Sequence, residues 1–457
     1  MATKQRKKVY TMLLNFRIKN FKSFKDEAIF SLNPERIQDI PYSILKETAN
    51  NKEYKGLSGA VIYGPNAAGK TSIINAMSCF KQIILRGNIN NVEDNRFDDY
   101  VSQSMELIPF FFDDESHPVE FEIEFIDNNT KYDYELIIDL GKFGIEKYDR
   151  KIISEKLMVN DYEIFKRTTT DVEVNNLSKI QNLLLENFNS SLAQKNIEIA
   201  KVNLSKTILF LTTDFNSFIS KKICTDILSW LKEKFIVINR SNYHNLRPNI
   251  QNDTSTLFID ETLNSIAKEA GIVGTDFGYI RDNGKTNLVS IIKRDGNKAT
   301  GIDAERIESV GTLRLIGIMP YILNVLTVGG TLVMDELDSS LHPMIVMNII
   351  SAFHNDEINL KKAQLIFNTH NPIFLNSQIF RRDEIKFVEK EKETKSSILY
   401  SLSDFKTNGN TPVRNTTDYM RNYFINRYGA IENIDFSDIF KEIVEGSIKN
   451  EEKKQSN

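Results

Sequence analysis

Hydrophobic and polar residues follow two different periods along the chain, and each period predicts one kind of element. Strict alternation in Val119–Ile126 and again in Tyr132–Ile138, joined by an Asp-Asn-Asn turn, predicts an antiparallel meander with one solvent-facing side. Partial alternation over 12–32 predicts a hairpin of two strands. Apolar residues at helical spacing in Asn176–Asn189 and Ser217–Phe235 predict that this middle part of the chain is mainly helical.

Continuous apolar runs mark a second kind of strand, because a strand buried on both faces has no polar side to show. Such runs occur at Ser58–Tyr63, 331–335 and 363–368. Helical patterns occur at about 71–85, 312–326 and 342–354. Strands that alternate with helices in this way predict a mixed sheet flanked by helices.

Leu315–Met334 contains no charged residue and has about the length of a membrane-spanning helix. Pro320, Asn324 and the pair Gly329-Gly330 interrupt it, and it runs directly into Asp335. We therefore interpret it as a buried helix, a turn and a buried strand. We expect no membrane span and a cytoplasmic protein.

Residues 64–71 read Gly-Pro-Asn-Ala-Ala-Gly-Lys-Thr and lie between a predicted strand and a predicted helix. This is the spacing of a phosphate-binding loop, in which small residues let backbone N–H groups approach the phosphates at the positive end of the helix. Lys70 is expected to reach the β- and γ-phosphates, and Thr71 to hold Mg²⁺ through its hydroxyl. The predicted nucleotide-binding residues are Gly64, Pro65, Asn66, Ala67, Ala68, Gly69, Lys70, Thr71 and Ser72.

Two acidic residues, Asp335 and Glu336, end the apolar strand Thr331–Met334. Ligand chemistry in a parallel sheet sits beyond the carboxyl ends of the strands. Asp335 suits a partner of Mg²⁺, and Glu336 suits a general base that polarises the attacking water. An apolar run followed by two acids is a weak signal alone, and its strength comes from the phosphate loop in the same chain.

A histidine, His370, follows the next apolar strand and is one of five in the chain. A single histidine is more often a surface or satisfied core residue. At the end of the strand after the acidic one, its neutral imidazole could donate one hydrogen bond to a γ-phosphate or to the attacking water and accept another. We therefore predict a catalytic role for it beside Glu336.

These motifs, in this order, resemble the ABC-type ATPases of the SMC, RecF and OLD kind. The opening Ile18–Phe24, the phosphate loop, the acidic strand and Thr369–Pro372 with its switch histidine all carry the resemblance. It implies an α/β fold of the P-loop NTPase class and ABC-ATPase type, a mixed sheet flanked by helices with an antiparallel β subdomain and a mainly helical insertion. It also implies ATP and Mg²⁺ as cofactors, and Leu337–Leu341 as a D-loop that includes Asp338.

The family's signature segment matches Glu308–Arg314 here, but only Ser-x-Gly of the fuller Leu-Ser-Gly-Gly-Gln pattern is kept. The resemblance implies that Ser309, Gly311 and Thr312 close over the ATP of a second subunit, in a homodimer or higher oligomer. The competing interpretation is an ordinary helix start capped by Ser309. The family's glutamine loop has no clear match, and Gln103 is a weak one.

Three downstream segments, Phe380–Lys390, Leu399–Phe405 and Arg427–Ile431, resemble the ATPase subunits of bacterial abortive-infection systems, which act in two-gene phage defence. Their partner gene often encodes a TOPRIM-type nuclease or a similar effector. Only about 50 residues follow 402, so the resemblance implies that any nuclease is supplied by a partner protein.

Composition narrows the choice of partners. With 58 Lys plus Arg against 62 Asp plus Glu, the net charge of −4 provides no general attraction to nucleic acid. Lysines at 195, 201, 206, 221 and 222 could contact DNA, so a RecF-like repair ATPase remains the alternative, and a non-hydrolysing nucleotide-dependent module is a third. The two distant cysteines, Cys79 and Cys224, suit a reducing compartment.

The spacing of the motifs predicts one ATPase domain that is divided in the chain. We expect an N-terminal lobe at 12–166, a mainly helical recognition insertion at 167–300, a C-terminal lobe at 301–404 and a cap with a tail at 405–457. The first eight residues are interpreted as a frayed end or as leader residues before a start at Met12.

Overall fold

The computed structural model describes residues 10–37, 39–90, 107–144, 148–239, 258–282, 285–294, 298–407, 411–413, 416–432 and 435–445. The helices in this part of the chain are α1 (Lys70–Arg86), α2 (Ser190–Val202), α3 (Asn216–Phe218), α4 (Lys221–Ser229), α5 (Glu261–Glu269), α6 (Val310–Val328), α7 (Pro343–His354) and α8 (Tyr419–Phe424). A further helical stretch covers 437–445.

The strands up to the middle of the chain are β1 (Met12–Lys19), β2 (Ala28–Ser31), β3 (Ile44–Ala49), β4 (Lys52–Leu57), β5 (Gly59–Tyr63), β6 (Val119–Asp127), β7 (Thr130–Asp139), β8 (Lys151–Val159), β9 (Tyr162–Thr168) and β10 (Val172–Val174). The later strands are β11 (Phe235–Ile238), β12 (Phe258–Ile259), β13 (Thr275–Asp282), β14 (Lys285–Arg294), β15 (Lys298–Asp303), β16 (Thr331–Met334), β17 (Gln364–Asn368), β18 (Ile385–Lys390), β19 (Ser397–Ser401), β20 (Lys406–Thr407) and β21 (Thr411–Pro412).

A six-stranded sheet in the order β11-β16-β17-β5-β18-β19 forms the centre of the fold. Its first five strands pair in parallel, and β19 runs antiparallel to β18. Every residue of β5, β16 and β17 is buried, which explains their continuous apolar sequences. Since these three strands are parallel, their carboxyl ends meet at one edge of the sheet.

A seven-stranded antiparallel sheet, in the order β10-β9-β8-β7-β6-β1-β2, packs beside α1 and confirms the predicted meander. Asn128 and Asn129, both with positive φ, form its tight turn between β6 and β7. On its polar face, Arg17 pairs with carboxylates of Glu120 and Glu135 at 2.8 and 3.0 Å.

Residues 167–300, predicted as a mainly helical insertion, contain both helices and strands. β11 is the outer strand of the central sheet, and β12 to β15 form a separate antiparallel sheet. The helix predicted for Asn176–Asn189 is absent, and only short 3₁₀ turns occur there. α2 begins directly afterwards, because the Asn189 side chain accepts a hydrogen bond from the Leu192 N–H at 3.0 Å and caps the helix.

A buried ion pair within the antiparallel sheet also makes hydrogen bonds to the helical segment. Glu155 on β8 is fully buried and accepts hydrogen bonds of 2.8 Å from the backbone N–H groups of Phe210 and Leu211 and from the Tyr134 hydroxyl. Arg167 on β9 lies 3.4 Å from the same carboxylate and is 1% exposed. The predicted insertion therefore shares its core with the N-terminal lobe.

Among the described residues, α6 is the one helix that is long and apolar enough to cross a membrane. It continues through Pro320 and packs against β16, with Leu315, Ile318 and Ile322 buried in the core. Core helices of ordinary globular domains pass the same test of length and composition, so α6 is weak evidence for a membrane span.

The segment after β19 covers one face of the central sheet. The Tyr423 ring on α8 lies 5.9 Å from the Tyr63 ring at the end of β5 and 6.0 Å from the Phe387 ring on β18. The Tyr400 hydroxyl also donates to the Tyr428 carbonyl at 2.9 Å. These contacts attach residues 419–430 to the strand that leads into the phosphate loop.

Candidate functional site

The predicted phosphate loop connects β5 to α1, and two serine side chains pack against it. Gly69 has φ +113°, and a Cβ atom there would lie 2.5 Å from the hydroxyl oxygens of both Ser23 and Ser397. The Ser397 hydroxyl donates to the Ala68 carbonyl at 2.5 Å, and the Ser23 hydroxyl donates to the Ser72 hydroxyl at 3.1 Å. Only glycine fits this position without shifting the loop.

Lys70, the first residue of α1, points back along the loop. Its ammonium donates hydrogen bonds of 2.8 and 2.9 Å to the carbonyls of Gly64 and Pro65. Burial lowers the pKa of Lys70 to about 8, although the carboxylates of Asp335 and Glu336 act in the opposite direction. The cation is therefore held at the loop with little water around it, where its attraction to phosphate is strongest.

The acidic strand end meets the loop through a direct contact. Thr71 donates from its hydroxyl to Asp335 Oδ1 at 3.0 Å, across 264 positions of sequence. Asp335 is 2% exposed and directly follows β16, which pairs with β17, and β17 in turn pairs with β5. The structure therefore brings together the two side chains predicted to hold a metal.

Glu336 and His370 line the same cavity of about 370 Å³ as the phosphate loop. Glu336 has φ +49°, so the chain turns sharply where β16 ends. Burial and the charge of Lys70 hold the pKa of His370 below its usual range, while Glu336 and nearby aspartates oppose this shift. The imidazole is consequently neutral at pH 7 and can both donate and accept a hydrogen bond.

The cavity also contains residues that sequence reasoning did not select. Besides the predicted residues, its lining includes Ser23, Phe111, Asn368 and Lys390. Asn368 ends β17 directly before Thr369-His370, and its polar side chain at the end of an apolar strand was the available signal. Ser23 lies in a turn within Ile18–Phe24, and Lys390 ends β18 within Phe380–Lys390. Both segments carried a family resemblance, but no sequence pattern gave a reason to select these two side chains.

The predicted signature residues lie at the start of α6 and are not among the cavity-lining residues. Ser309 caps this helix by accepting from the Thr312 N–H at 3.1 Å and is exposed. A Cβ atom on Gly311 would lie 2.6 Å from the Ser340 carbonyl, so the helix start packs tightly on the predicted D-loop. Asp338 lies in that D-loop turn, and its backbone carbonyl accepts a hydrogen bond from the Leu341 N–H at 3.1 Å.

Gln103, the weak match to a glutamine loop, lies outside the described residues. A metal site built from several protein ligands is not found in the described ranges, where no group of three or more His, Cys, Asp or Glu side chains could hold an ion. The pair of Thr71 and Asp335 instead fits Mg²⁺, which needs oxygen ligands and takes the rest of its shell from phosphates and water in such sites.

The parallel sheet, the loop between β5 and α1 and the acids at the end of β16 define a phosphate-loop nucleotide-binding domain of the ABC type. The comparison with protein families agrees with this class. Residues 60–376 match the family described as "AAA domain, putative AbiEii toxin, Type IV TA system", and the chain belongs to this family. None of the curated proteins matches the chain.

Solved structures with a similar arrangement include two head domains of SMC proteins. One is the SMC head domain from Thermotoga maritima, with 15% identity, a TM-score of 0.36 and coverage of 85% of this chain and 98% of that chain. Another is the Smc head domain derived from Pyrococcus furiosus, bound to the C-terminal domain of ScpA, with 14% identity, a TM-score of 0.37 and coverage of 86% and 96%. Similarity at this level does not bear on function.

Proposed function

We propose that the protein binds ATP in the cavity at the phosphate loop and hydrolyses it to ADP and phosphate. The observation that carries this proposal is the 3.0 Å hydrogen bond between Thr71 and Asp335, because it joins the phosphate loop to the acidic strand end. Lys70, Glu336 and His370 line the same cavity, so a phosphate-binding cation, a carboxylate and a neutral imidazole converge on one space.

Each of these side chains has a separate task. Lys70 exchanges its bonds to the loop carbonyls for bonds to the β- and γ-phosphates. Glu336 accepts a proton from the attacking water, and His370 donates a hydrogen bond to the γ-phosphate or orients that water. Backbone N–H groups of the loop and the start of α1 offset the remaining negative charge.

Thr71 and Asp335 would hold Mg²⁺ between them. The ion, when bound, neutralises charge on the β- and γ-phosphates. Asp335 Oδ1 accepts hydrogen bonds from Thr71 and from Asn368, which hold this carboxylate beside the phosphate loop. This oxygen-only donor set is the type that Mg²⁺ prefers.

A second copy of the chain completes the proposed active unit. Ser309 and Val310 are exposed at the N-terminal end of α6, and Gly311 and Thr312 follow them. In a homodimer or higher oligomer, this end would close over the ATP of the other subunit. Tight packing of Gly311 on the D-loop provides a route by which such closure reaches Glu336.

We further propose a cytoplasmic role in anti-phage abortive infection, in which nucleotide state controls a partner effector such as a TOPRIM-type nuclease. The family's toxin–antitoxin description supports a protein partner. The RecF-like alternative, direct DNA binding, gains little from the lysines of the middle segment. Lys201 pairs with Asp171 at 3.2 Å and Lys222 with Asp226 at 2.9 Å, so their charge is partly neutralised.

Steady-state ATP turnover and binding of a fluorescent ATP analogue test the enzymatic proposal. Glu336→Gln should keep analogue binding and lower turnover by about 100-fold or more, because the general base is removed. Lys70→Ala should lose analogue binding. Undiminished turnover in Glu336→Gln would contradict the role of Glu336, and tight binding in Lys70→Ala would contradict the assignment of the site.

A further inference from the structure

Asn368 lies between the acidic strand end and the phosphate loop. It is the last residue of β17, the strand that lies between β16 with its acidic end and β5 with the phosphate loop. Its side chain is fully buried, although it is polar. A buried amide at this position must satisfy both its donor and its acceptor.

The two ends of the Asn368 amide contact two different functional groups. Its Nδ2 donates to Asp335 Oδ1 at 2.5 Å, and its Oδ1 accepts from the Glu336 backbone N–H at 2.5 Å. The orientation of the amide follows from chemistry, because a carboxylate can only accept and an N–H can only donate. Both ends are therefore assigned without ambiguity.

The contact with Asp335 sets the direction of that carboxylate. Asp335 Oδ1 receives two donors, Asn368 Nδ2 and the Thr71 hydroxyl. Two donors that converge on one oxygen restrict the rotation of this carboxylate. Replacing the Asn368 amide would remove one of these two donors and leave the Thr71 hydroxyl as the other.

The contact with Glu336 holds the backbone of the proposed base. At φ +49° this residue adopts a left-handed conformation that non-glycine residues rarely take. Asn368 binds its N–H, and the Arg314 guanidinium binds its carbonyl, so the peptide groups on both sides are held. This backbone conformation determines where the Glu336 carboxylate enters the cavity.

We propose that Asn368 is a positioning residue that sets the relative orientation of Asp335 and Glu336, so that one acid serves the metal and the other serves the water. The inference rests on the proposed function, since it assumes hydrolysis of ATP with Mg²⁺. A leucine at this position keeps the volume and removes both contacts. A threonine keeps one hydroxyl that can donate or accept, and therefore restores part of the arrangement.

The experiment compares Asn368→Leu and Asn368→Thr with the wild-type protein in ATP turnover and in fluorescent ATP-analogue binding, with and without Mg²⁺. We expect kcat to fall about 10- to 100-fold in Asn368→Leu, as for other partners that orient metal-binding groups, and less in Asn368→Thr. Analogue binding in EDTA should stay unchanged, because Lys70 and the loop are intact. The gain in analogue affinity on adding Mg²⁺ should shrink.

Asn264→Leu provides a matched control. Asn264 is also buried and also uses both ends of its amide, accepting from the Phe277 N–H at 2.6 Å and donating to the Phe277 carbonyl at 3.2 Å, but on α5 and outside the cavity. This variant should lower the midpoint of thermal unfolding and leave the Mg²⁺ effect on analogue binding unchanged.

Each outcome separates the inference from the function on which it rests. If the wild-type protein does not hydrolyse ATP, the proposed function fails. If it does, and Asn368→Leu has wild-type kcat and a wild-type Mg²⁺ effect, the positioning role is wrong. Equal losses in Asn264→Leu and Asn368→Leu would also overturn it, and Asn368→Thr carries the test should the leucine variant not fold.

Discussion

Gly69→Ala should disable the phosphate loop without unfolding the protein. The new Cβ atom would lie 2.5 Å from the hydroxyl oxygens of Ser23 and Ser397 and 3.1 Å from the Ser397 Cβ. Relief of these contacts requires both serine side chains to move. Their hydrogen bonds to Ala68 and Ser72, which shape the loop, would then break.

The expected cost follows from the local geometry. A non-glycine residue at φ +113° costs about 1–3 kcal/mol. Loss of the two serine hydrogen bonds adds about 0.5–1.5 kcal/mol each. The binding-competent loop is thus disfavoured by at least about 2 kcal/mol, which corresponds to about a 30-fold weaker affinity for ATP.

Titration with a fluorescent ATP analogue measures this loss directly, and thermal unfolding reports any loss of the fold. Gly271→Ala is a control for backbone strain, because Gly271 has φ +85° and nothing within 4 Å of the new Cβ atom. It should reduce stability slightly and leave analogue affinity unchanged. Analogue affinity within about threefold of wild type in a folded Gly69→Ala protein would refute the reasoning.

Two further predictions concern pH and stability. With the pKa of nucleotide-free Lys70 at about 8, the cation is present below this pH and lost above it. Analogue affinity in EDTA should therefore fall roughly tenfold between pH 7 and 9. The affinity of Lys70→Arg should depend less on pH, and a flat wild-type profile would contradict the lowered pKa of Lys70. Glu155→Ala leaves the buried Arg167 without its carboxylate and should lower the free energy of unfolding in urea by about 3–5 kcal/mol. Glu198 is the control, because it is exposed and pairs with Lys201 at 3.3 Å. Glu198→Ala should cost under about 1 kcal/mol, and an equally small effect of Glu155→Ala would contradict the role of burial.

Most of the candidate site follows from sequence spacing. The loop at 64–71, the acids after Met334 and the histidine after the next strand each stand at the end of a short apolar run, and the parallel sheet brings these ends to one edge. Asn368 ends one of the same runs but belongs to no recognised motif. Its role depends on contacts with residues 32 and 33 positions earlier, which only the pairing of β16 with β17 creates.

The middle of the chain was less predictable, for a physical reason. Phe235–Ile238 is a short apolar run that suits a helix end or a strand, and pairing with β16 makes it a strand. The apolar spacing in Asn176–Asn189 favoured a helix, whereas the structure has 3₁₀ turns there and the cap at Asn189 starts α2 later. Short elements of this kind are decided by tertiary contacts more than by local preference.

The sequence by itself determined the class of the domain, because phosphate binding needs a fixed local order of strand, small-residue loop, lysine and helix. It also determined which strand ends carry the acids and the histidine. Only the tertiary structure decided how these groups are held. Ser23 and Ser397 support Gly69 from opposite parts of the chain, because folding brings the turn after β1 and the start of β19 to the same loop. Asn368 spans both acids, because β16 and β17 pair in parallel although they are distant in sequence.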